Sequence, residues 1–355
     1  MTLPASDPDP PGGRRRILGV TLATEYPLRT PLPPSDDPPD ITFTFREAGL
    51  PAPPAWKPAP DYASPNLLES GASFLALYKG EPDGGEPDGK DESDGRRADL
   101  LRFGEVADFL VADDRIDCCL FDPDYAHMVE IHLLGTVLSY WLEREGIPVL
   151  HAAAVAVNGA ALGFVATNKG GKSSLAASLM QIGHPLLSDD LVGIQRSGRG
   201  FEARPGYPSM RFWPDQAAHF HPEWERHPLA HPRFSKRRIP VGDGGFGSFL
   251  DAARPLACLY LPERRKAGAG DPTVAIGTIP TPEAVIELIR GSFLPNLVEG
   301  AGLASLRLQH LAELAAAVPV RRVAYPEGMR FLPYVRDRIL EDAAPEVSRV
   351  APEKR

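Results

Sequence analysis

Apolar and polar positions alternate with a short period early in the chain and a longer one later. Residues 41 to 121 read as brief β-runs broken by loops. From about 124 to 145, Met128, Ile131, Leu134, Leu138, Trp141 and Leu142 recur on one helical face, with Gly146 behind them. The stretch "AAAVAVNGAALGFVAT" then holds two β-rich runs around Asn158-Gly159, a pair that tolerates positive φ and predicts a hairpin. Leu175, Leu179 and Ile182 mark a helix after residue 172, with Gly183 as its left-handed stop. A short buried-strand pattern, two adjacent acids and another apolar run follow in "HPLLSDDLVGIQ". Farther on, "PLACLYLPE" and "TVAIGTIP" read as strands. Thr281-Pro282 opens a helix through Val285, Ile286 and Ile289, with Thr as N-cap and Pro at the first helical position. "LASLRLQHLAELAAAV" is a second amphipathic helix, "VRRVAYP" a strand, and the last helix is expected to end near Leu340.

This order predicts an α/β fold with a smaller β-rich region ahead of it and α+β elements behind. The 39 prolines cluster in connectors such as "PLRTPLPPSDDPPD", which cannot be helical. The expected organisation is a disordered start over 1–40, a small β-rich domain over 41–125, a main α/β domain over 126–345 and a disordered tail over 346–355. The stretch 80–97 repeats a Gly-Glu-Pro-Asp-Gly unit and reads as a solvated acidic insertion; it lacks the ligand spacing and closing glutamate of a calcium loop.

Composition narrows the function classes. With 43% hydrophobic residues and a net charge of −9, the chain reads as globular and does not bind nucleic acid through bulk charge. Cys118, Cys119 and Cys258 make no disulfide framework, which suits a reducing cytoplasm. "RRRILGV" has a twin-arginine flavour, but its apolar run is too short for a signal, and no run approaches transmembrane length. The expected localisation is therefore cytoplasmic, with neither nucleic acid nor membrane as partner.

The candidate chemistry sits between the hairpin and the helix. "ATNKGGKSS" matches G-x-x-x-x-G-K-[ST] on Ala166, Thr167, Asn168, Lys169, Gly170, Gly171, Lys172 and Ser173, with Ala where the first Gly is usual, and Ser174 extends it. Such a loop, leaving a strand and opening a helix, turns successive N–H groups toward a phosphate chain. The lysine and the helix N-terminus add positive potential. An Ala at positive φ in the first position would carry a strain cost. Asp189 and Asp190 close the next strand, where a carboxylate holds magnesium or deprotonates a nucleophile. Two adjacent carboxylates repel, so one is drawn toward neutrality or held by a cation.

His151, the loop ending in Gly171-Lys172-Ser173 and the Asp189-Asp190 pair together resemble the catalytic domain of HPr kinase/phosphorylase, whose fold is related to phosphoenolpyruvate carboxykinase. "FEARPGYPSMRFWPD" looks like a segment of the HPr-kinase-like enzymes found with peptide-modification systems, such as lasso-peptide tailoring kinases. The resemblance covers roughly residues 126 to 240 and includes no long N-terminal sensor domain. It implies ATP and Mg2+ as cofactors and a serine or threonine on a small peptide or protein as acceptor, in a bacterial peptide-tailoring context, together with a homo-oligomer. It places Asp190 as base, Asp189 and Ser173 on magnesium and Lys172 on the β/γ oxygens, although the two aspartates could exchange roles. His151 then orients Asp190 or contacts phosphate. Arg211 is the leading candidate for neutralising transferred charge. Glu202 and Arg204 correspond to an acid and an arginine of the family's signature stretch, and Arg237 and Arg238 in "KRRIP" to a basic element near the phosphates. The same motifs fit phosphorolysis in reverse, a small-molecule kinase, or a nucleotide-binding regulator without transfer.

His219, His221, His227 and His231 suggest zinc, yet interleaved prolines and the lack of cysteine predict a mobile loop instead.

Overall fold

The computed structural model describes residues 13–46, 59–80, 98–167, 169–198, 200–231, 234–242, 245–266 and 273–351. Asn168 and residues 81–97 of the acidic insertion lie outside them.

The N-terminal strands are β1 (Gly13–Ile17), β2 (Val20–Thr24), β3 (Ile41–Arg46), β4 (Tyr62–Ala63), β5 (Ala76–Lys79), β6 (Asp99–Phe103), β7 (Ala107–Val111) and β8 (Arg115–Leu120). They form one eight-stranded sheet in the order β1-β2-β3-β8-β7-β6-β5-β4. From residue 13 onward, the first two strands correct the expectation of a disordered start over 1–40; residues 1–12 lie outside the described residues. Ile17, Leu18, Val20 and Leu22 are buried, and Leu28 and Leu32 are buried between the prolines that follow. Proline forbids helix but not extended backbone, so this proline-rich stretch still delivers apolar side chains to a core.

The long helix is interrupted. α1 (Ala126–His132) passes through a π-helical turn, Leu133–Val137, into α2 (Leu138–Arg144). Its apolar face, with Val129, Leu133, Val137 and Leu138, packs into one core with Phe43, Phe103 and Phe109 of the sheet.

The second sheet contains β9 (Val149–Leu150), β10 (Ala152–Val157), β11 (Ala160–Val165), β12 (Leu186–Ser188), β13 (Val192–Ser197) and β14 (Gly200–Ala203). A separate three-stranded sheet follows, built from β15 (Ser209–Phe212), β16 (Leu229–His231) and β17 (Phe234–Pro240). The main sheet is completed by β18 (Arg254–Arg265), β19 (Ala275–Thr278) and β20 (Val320–Pro326). The helices after the long one are α3 (Lys172–Met180), α4 (Pro214–Phe220), α5 (Thr281–Arg290), α6 (Pro295–Gly300), α7 (Ala304–Ala317) and α8 (Leu332–Val350).

β10 shows why its sequence is an unbroken apolar run. Ala153, Val155 and Val157 enter a core with Leu175 and Leu179 of α3 and Val335 and Ile339 of α8. Ala152, Ala154 and Ala156 enter the opposite core with Leu288 of α5 and Leu311 and Leu314 of α7. A strand covered by helices on both faces has no polar side.

The last helix runs to Val350, past the expected end near Leu340 and into the expected disordered tail. Ile339, Ala343 and Val347 keep one buried stripe going across Pro345. The histidine-rich segment is likewise more regular than a mobile loop, since it holds the end of α4, a 3-10 turn at Trp224–Arg226 and β16. All three cysteines are buried free thiols. Among the described residues no helix is long and apolar enough to cross a membrane.

Candidate functional site

Strand direction gathers the site. β10 is antiparallel to both β11 and β12, while β11 is parallel to β18 and β18 to β20. The carboxyl ends of β11, β12, β18 and β20 therefore lie along one edge of the sheet, where α/β proteins place ligands. His151 directly precedes β10 at that same edge, the glycine-rich loop leaves β11, and Asp189-Asp190 leave β12.

The loop is shaped by its backbone. Lys169 has φ 61° and Gly171 φ 96°, whereas Ala166 is not among the positive-φ residues. The strain anticipated for Ala166 is therefore absent; the left-handed turn falls on other positions. A side chain at Gly170 would place its Cβ 2.4 Å from that of Ala166, so the curl closes only around glycine. Among the described residues no side chain caps α3 at Gly171, which leaves its first N–H groups at the positive end of the helix dipole.

Ser173 Oγ donates to Asp189 Oδ1 at 2.7 Å, and the Arg211 backbone N–H donates to Asp189 Oδ2 at 2.9 Å. Asp190 is held from two sides: Arg211 Nη1 donates to Oδ2 at 2.7 Å, and His151 Nε2 lies 3.2 Å from Oδ1. Lys172 Nζ stands 3.0 Å from the same His151 nitrogen. Arg211 also donates to the Tyr207 hydroxyl at 2.6 Å. It reaches the cluster by alternation: Met210 and Phe212, its neighbours on β15, are fully buried in the apolar core, so Arg211 faces the other way.

These surroundings drive the two carboxyls apart. Burial and then the charge of Asp190 push Asp189 above the usual aspartate range, against the bonds from Arg211 and Ser173 and the charge of Lys172. Burial also acts to raise Asp190, but the Arg211 charge, the His151 contact and Lys236 outweigh it and hold that carboxyl far below the usual range. Lys172 is lowered by burial, against the attraction of Asp190 and Asp189. The repulsion foreseen for adjacent aspartates is thus divided between a proton-prone Asp189 and an ionised Asp190. Asp190 further adopts φ 78°, a left-handed conformation that costs a non-glycine residue about 1–2 kcal/mol. Strain of this kind persists where the surroundings over-determine the geometry.

Four further sequence candidates are bonded or paired with groups other than the Asp189-Asp190 cluster. Arg204 donates to Gln195 Oε1 at 2.9 Å and to the Leu18 carbonyl at 3.1 Å, fastening the β1–β2 turn to β14. Glu202, two residues before it, pairs in register with Gln195 and Pro255. Arg237 donates to the His227 carbonyl at 2.8 Å, and Arg238 to Thr30 Oγ1 at 2.6 Å beside Glu130. Arg204, Arg237 and Arg238 are thus each held by an acceptor that adjoins it only in the folded chain, although Arg238 stands across from Arg211 as its register partner on β17. Thr167, Lys169 and Ser174 do stand in or beside the loop, Ser174 Oγ accepting from Gln216 Nε2 at 2.7 Å.

Sequence reasoning missed Tyr207, Gln216 and Lys236. The Lys236 ammonium sits 5.3 Å from the Trp213 ring centroid, where Lys169 also stands at 4.9 Å, so two cations share one aromatic ring beside the loop. The "KRRIP" segment was the only signal, and alternation along β17 separates Lys236 and Arg238 from Arg237. His221 and His227 approach each other at 2.9 Å between Nε2 atoms, and burial lowers the His227 pKa. Among the described residues no group of three or more His, Cys, Asp or Glu side chains is placed to hold a metal. An ion held by one carboxylate, one hydroxyl and the ligand's own oxygens needs no such group, and Asp189 with Ser173 fits magnesium's sparing use of protein ligands.

No family model matches the chain, and no curated protein matches it. Among solved structures, the Hpr(Ser) kinase/phosphatase from Coxiella burnetii aligns at 10% identity over 56% of this chain and 98% of that one, with a TM-score of 0.29. A likeness at that score decides nothing about function, which must be judged from the side chains themselves.

Proposed function

We propose that the chain is an ATP- and magnesium-dependent phosphotransferase of the P-loop, HPr-kinase-like type that phosphorylates a serine or threonine hydroxyl. The supporting observation is the meeting of Lys172, Ser173, Asp189, Asp190, His151 and Arg211 around the open N-terminus of α3. Lys172 and the loop N–H groups hold the phosphate chain, and Ser173 with Asp189 hold magnesium, which when bound neutralises phosphate charge. Asp190 accepts the acceptor's proton as the hydroxyl oxygen bonds to the γ-phosphorus, while the bond from that phosphorus to the bridging oxygen breaks and ADP leaves with its electron pair. Arg211 steadies Asp190 and the transferred charge. Between the two aspartates, Asp190 suits the base better: its side chain is partly exposed, whereas Asp189 is buried.

The acceptor we propose is a small peptide or protein, with a ribosomally made, lasso-type precursor as the favoured case. That choice is supported by the likeness of "FEARPGYPSMRFWPD" to peptide-tailoring kinases. The tight clamp on Asp190 favours a second reading, a nucleotide-binding regulator without transfer, because a carboxylate held far below its usual range is a weak base. Intact-mass spectrometry of the host's small-peptide fraction, incubated with the protein and isotopically labelled Mg-ATP, separates the two. A labelled phosphoryl increment on one peptide, absent with Asp190→Asn, supports the kinase. ATP binding by both proteins with no increment supports the regulator.

A further inference from the structure

The loop has a second wall that the proposed chemistry leaves unused. β18 and β20 run parallel, with Arg264 and Tyr325 as register partners at their carboxyl ends. In sheet order these strands lie on the far side of β11 from β12, the strand that delivers Asp189 and Asp190. The transferring centre and this pair therefore flank the loop from opposite sides.

Tyr325 is 2% exposed, its ring packed in the core beneath α3 and α8, yet its hydroxyl finds no hydrogen-bond partner among the described residues. That hydroxyl is directed at Gly171, where an added Cβ would lie 2.5 Å from it and 3.7 Å from Arg264 Cδ. Arg264 Nη2 donates to the Lys169 carbonyl, so the guanidinium lies along the loop backbone. A guanidinium carries five N–H donors, which leaves several for an anion. Burial lifts the Tyr325 pKa to about 12, against the Arg264 charge and with a small contribution from Glu327, so the phenol stays a proton donor. An orphaned buried donor is costly, and a phosphate oxygen entering the loop relieves that cost.

We propose that Arg264 and Tyr325 form a second phosphate-binding wall that grips the non-transferred phosphates of a nucleoside diphosphate or triphosphate, opposite the Lys172–Asp190 centre. The inference rests on the phosphotransferase reading and adds to it the pair that discriminates a diphosphate from a monophosphate. Gly171 acquires a second reason to be glycine: besides its φ of 96°, it leaves room for the phenol to reach the loop.

The test is calorimetric titration of the full chain and its Tyr325→Phe and Arg264→Gln variants with Mg-ADP and with AMP. Tyr325→Phe removes one oxygen and keeps the ring, so its melting temperature should equal or exceed that of the parent. Each variant should bind Mg-ADP about tenfold more weakly, as expected for loss of a hydrogen bond to a charged acceptor, and should lose most of its preference for ADP over AMP. Parent-like ADP affinity in both variants would retire the pair while leaving the nucleotide site in place. Failure of the parent chain to bind Mg-ADP or Mg-ATP would overturn the nucleotide reading and this inference with it.

Discussion

Lys172 and Asp190 contend for one atom: Nζ and Oδ1 stand 3.0 and 3.2 Å from the same His151 Nε2. That nitrogen either accepts from the ammonium or donates to the carboxylate, never both, because it carries at most one proton. A phosphate that draws Lys172 away frees Nε2–H to donate to Asp190. Under the proposed function, nucleotide arrival would thereby be coupled to the orientation of Asp190. His151→Ala should accordingly lower kcat by about tenfold to a hundredfold and change Mg-ATP affinity much less. A fall in affinity with kcat intact would assign His151 to phosphate instead.

Asp190→Asn keeps the shape of the clamp and removes the proposed proton acceptor. Turnover should fall by about 10²–10⁴ with Mg-ADP affinity retained. Arg211→Gln releases Asp190 from its main cation and should lower kcat by about 10²–10³. A single-turnover assay with labelled ATP checks both, and full activity in Asp190→Asn would remove Asp190 as the base.

The alkaline limit of nucleotide binding should come from Lys172. Burial favours its neutral amine, so its charge is lost at a lower pH than in an ordinary lysine, and affinity falls as pH rises through that point. Titrating Mg-ADP affinity upward from pH 7 tests this. Affinity that holds steady to about pH 10, the ordinary lysine range, would contradict it.

Asp189 links stability to the proposed function. Its carboxyl is raised in the folded chain, so between the unfolded and folded pKa the native state binds more protons, and stability falls as pH rises through that window. Above it the whole penalty is present. Asp189→Asn should therefore raise the melting temperature at pH 7 while abolishing magnesium-dependent turnover. The gain should shrink as pH is lowered and vanish below about 3.9, the unfolded value. A lower melting temperature at pH 7 would show that the Ser173 and Arg211 bonds outweigh the burial cost.

Glu130 on α1 accepts from the Arg29 and Thr30 backbone N–H groups at 2.6 and 2.8 Å, and Arg238 Nη1 lies 3.5 Å from its Oε1. Glu130→Ala would strand the buried Thr30 N–H and leave the Arg238 guanidinium without its carboxylate, and should cost about 3 kcal/mol in denaturant unfolding. A loss near zero would mean that the segment around Thr30 is anchored mainly by Leu28 and Leu32.

Much of this was legible in the residues. The Asn158-Gly159 hairpin, the strand-loop-helix around Gly171 and the acidic end of β12 follow from short-range pattern, because turn chemistry and hydrophobic period act over a few residues. Lys172, Ser173, Asp189, Asp190 and Arg211, singled out by the loop motif and by a family resemblance, do meet in one cluster in the structure. Local pattern failed where a distant partner decides the outcome. Residues 13–24 become strands because β3 and the rest of the first sheet receive them, and α8 continues past Leu340 because the main core extends beneath it.

By itself, the sequence determined the local elements and the residue types available for phosphate chemistry, since both depend on neighbours along the chain. Only the tertiary structure decided which charges converge. Arg204, Arg237 and Arg238 are as cationic as Arg211, but their acceptors are Leu18, His227 and Thr30, whereas strand alternation on β15 turns Arg211 toward Asp190. The meeting of Tyr325 with Gly171 likewise follows from parallel strands placed side by side. Charge is a property of a residue, but a site depends on distance, and distance between remote residues is set by the fold.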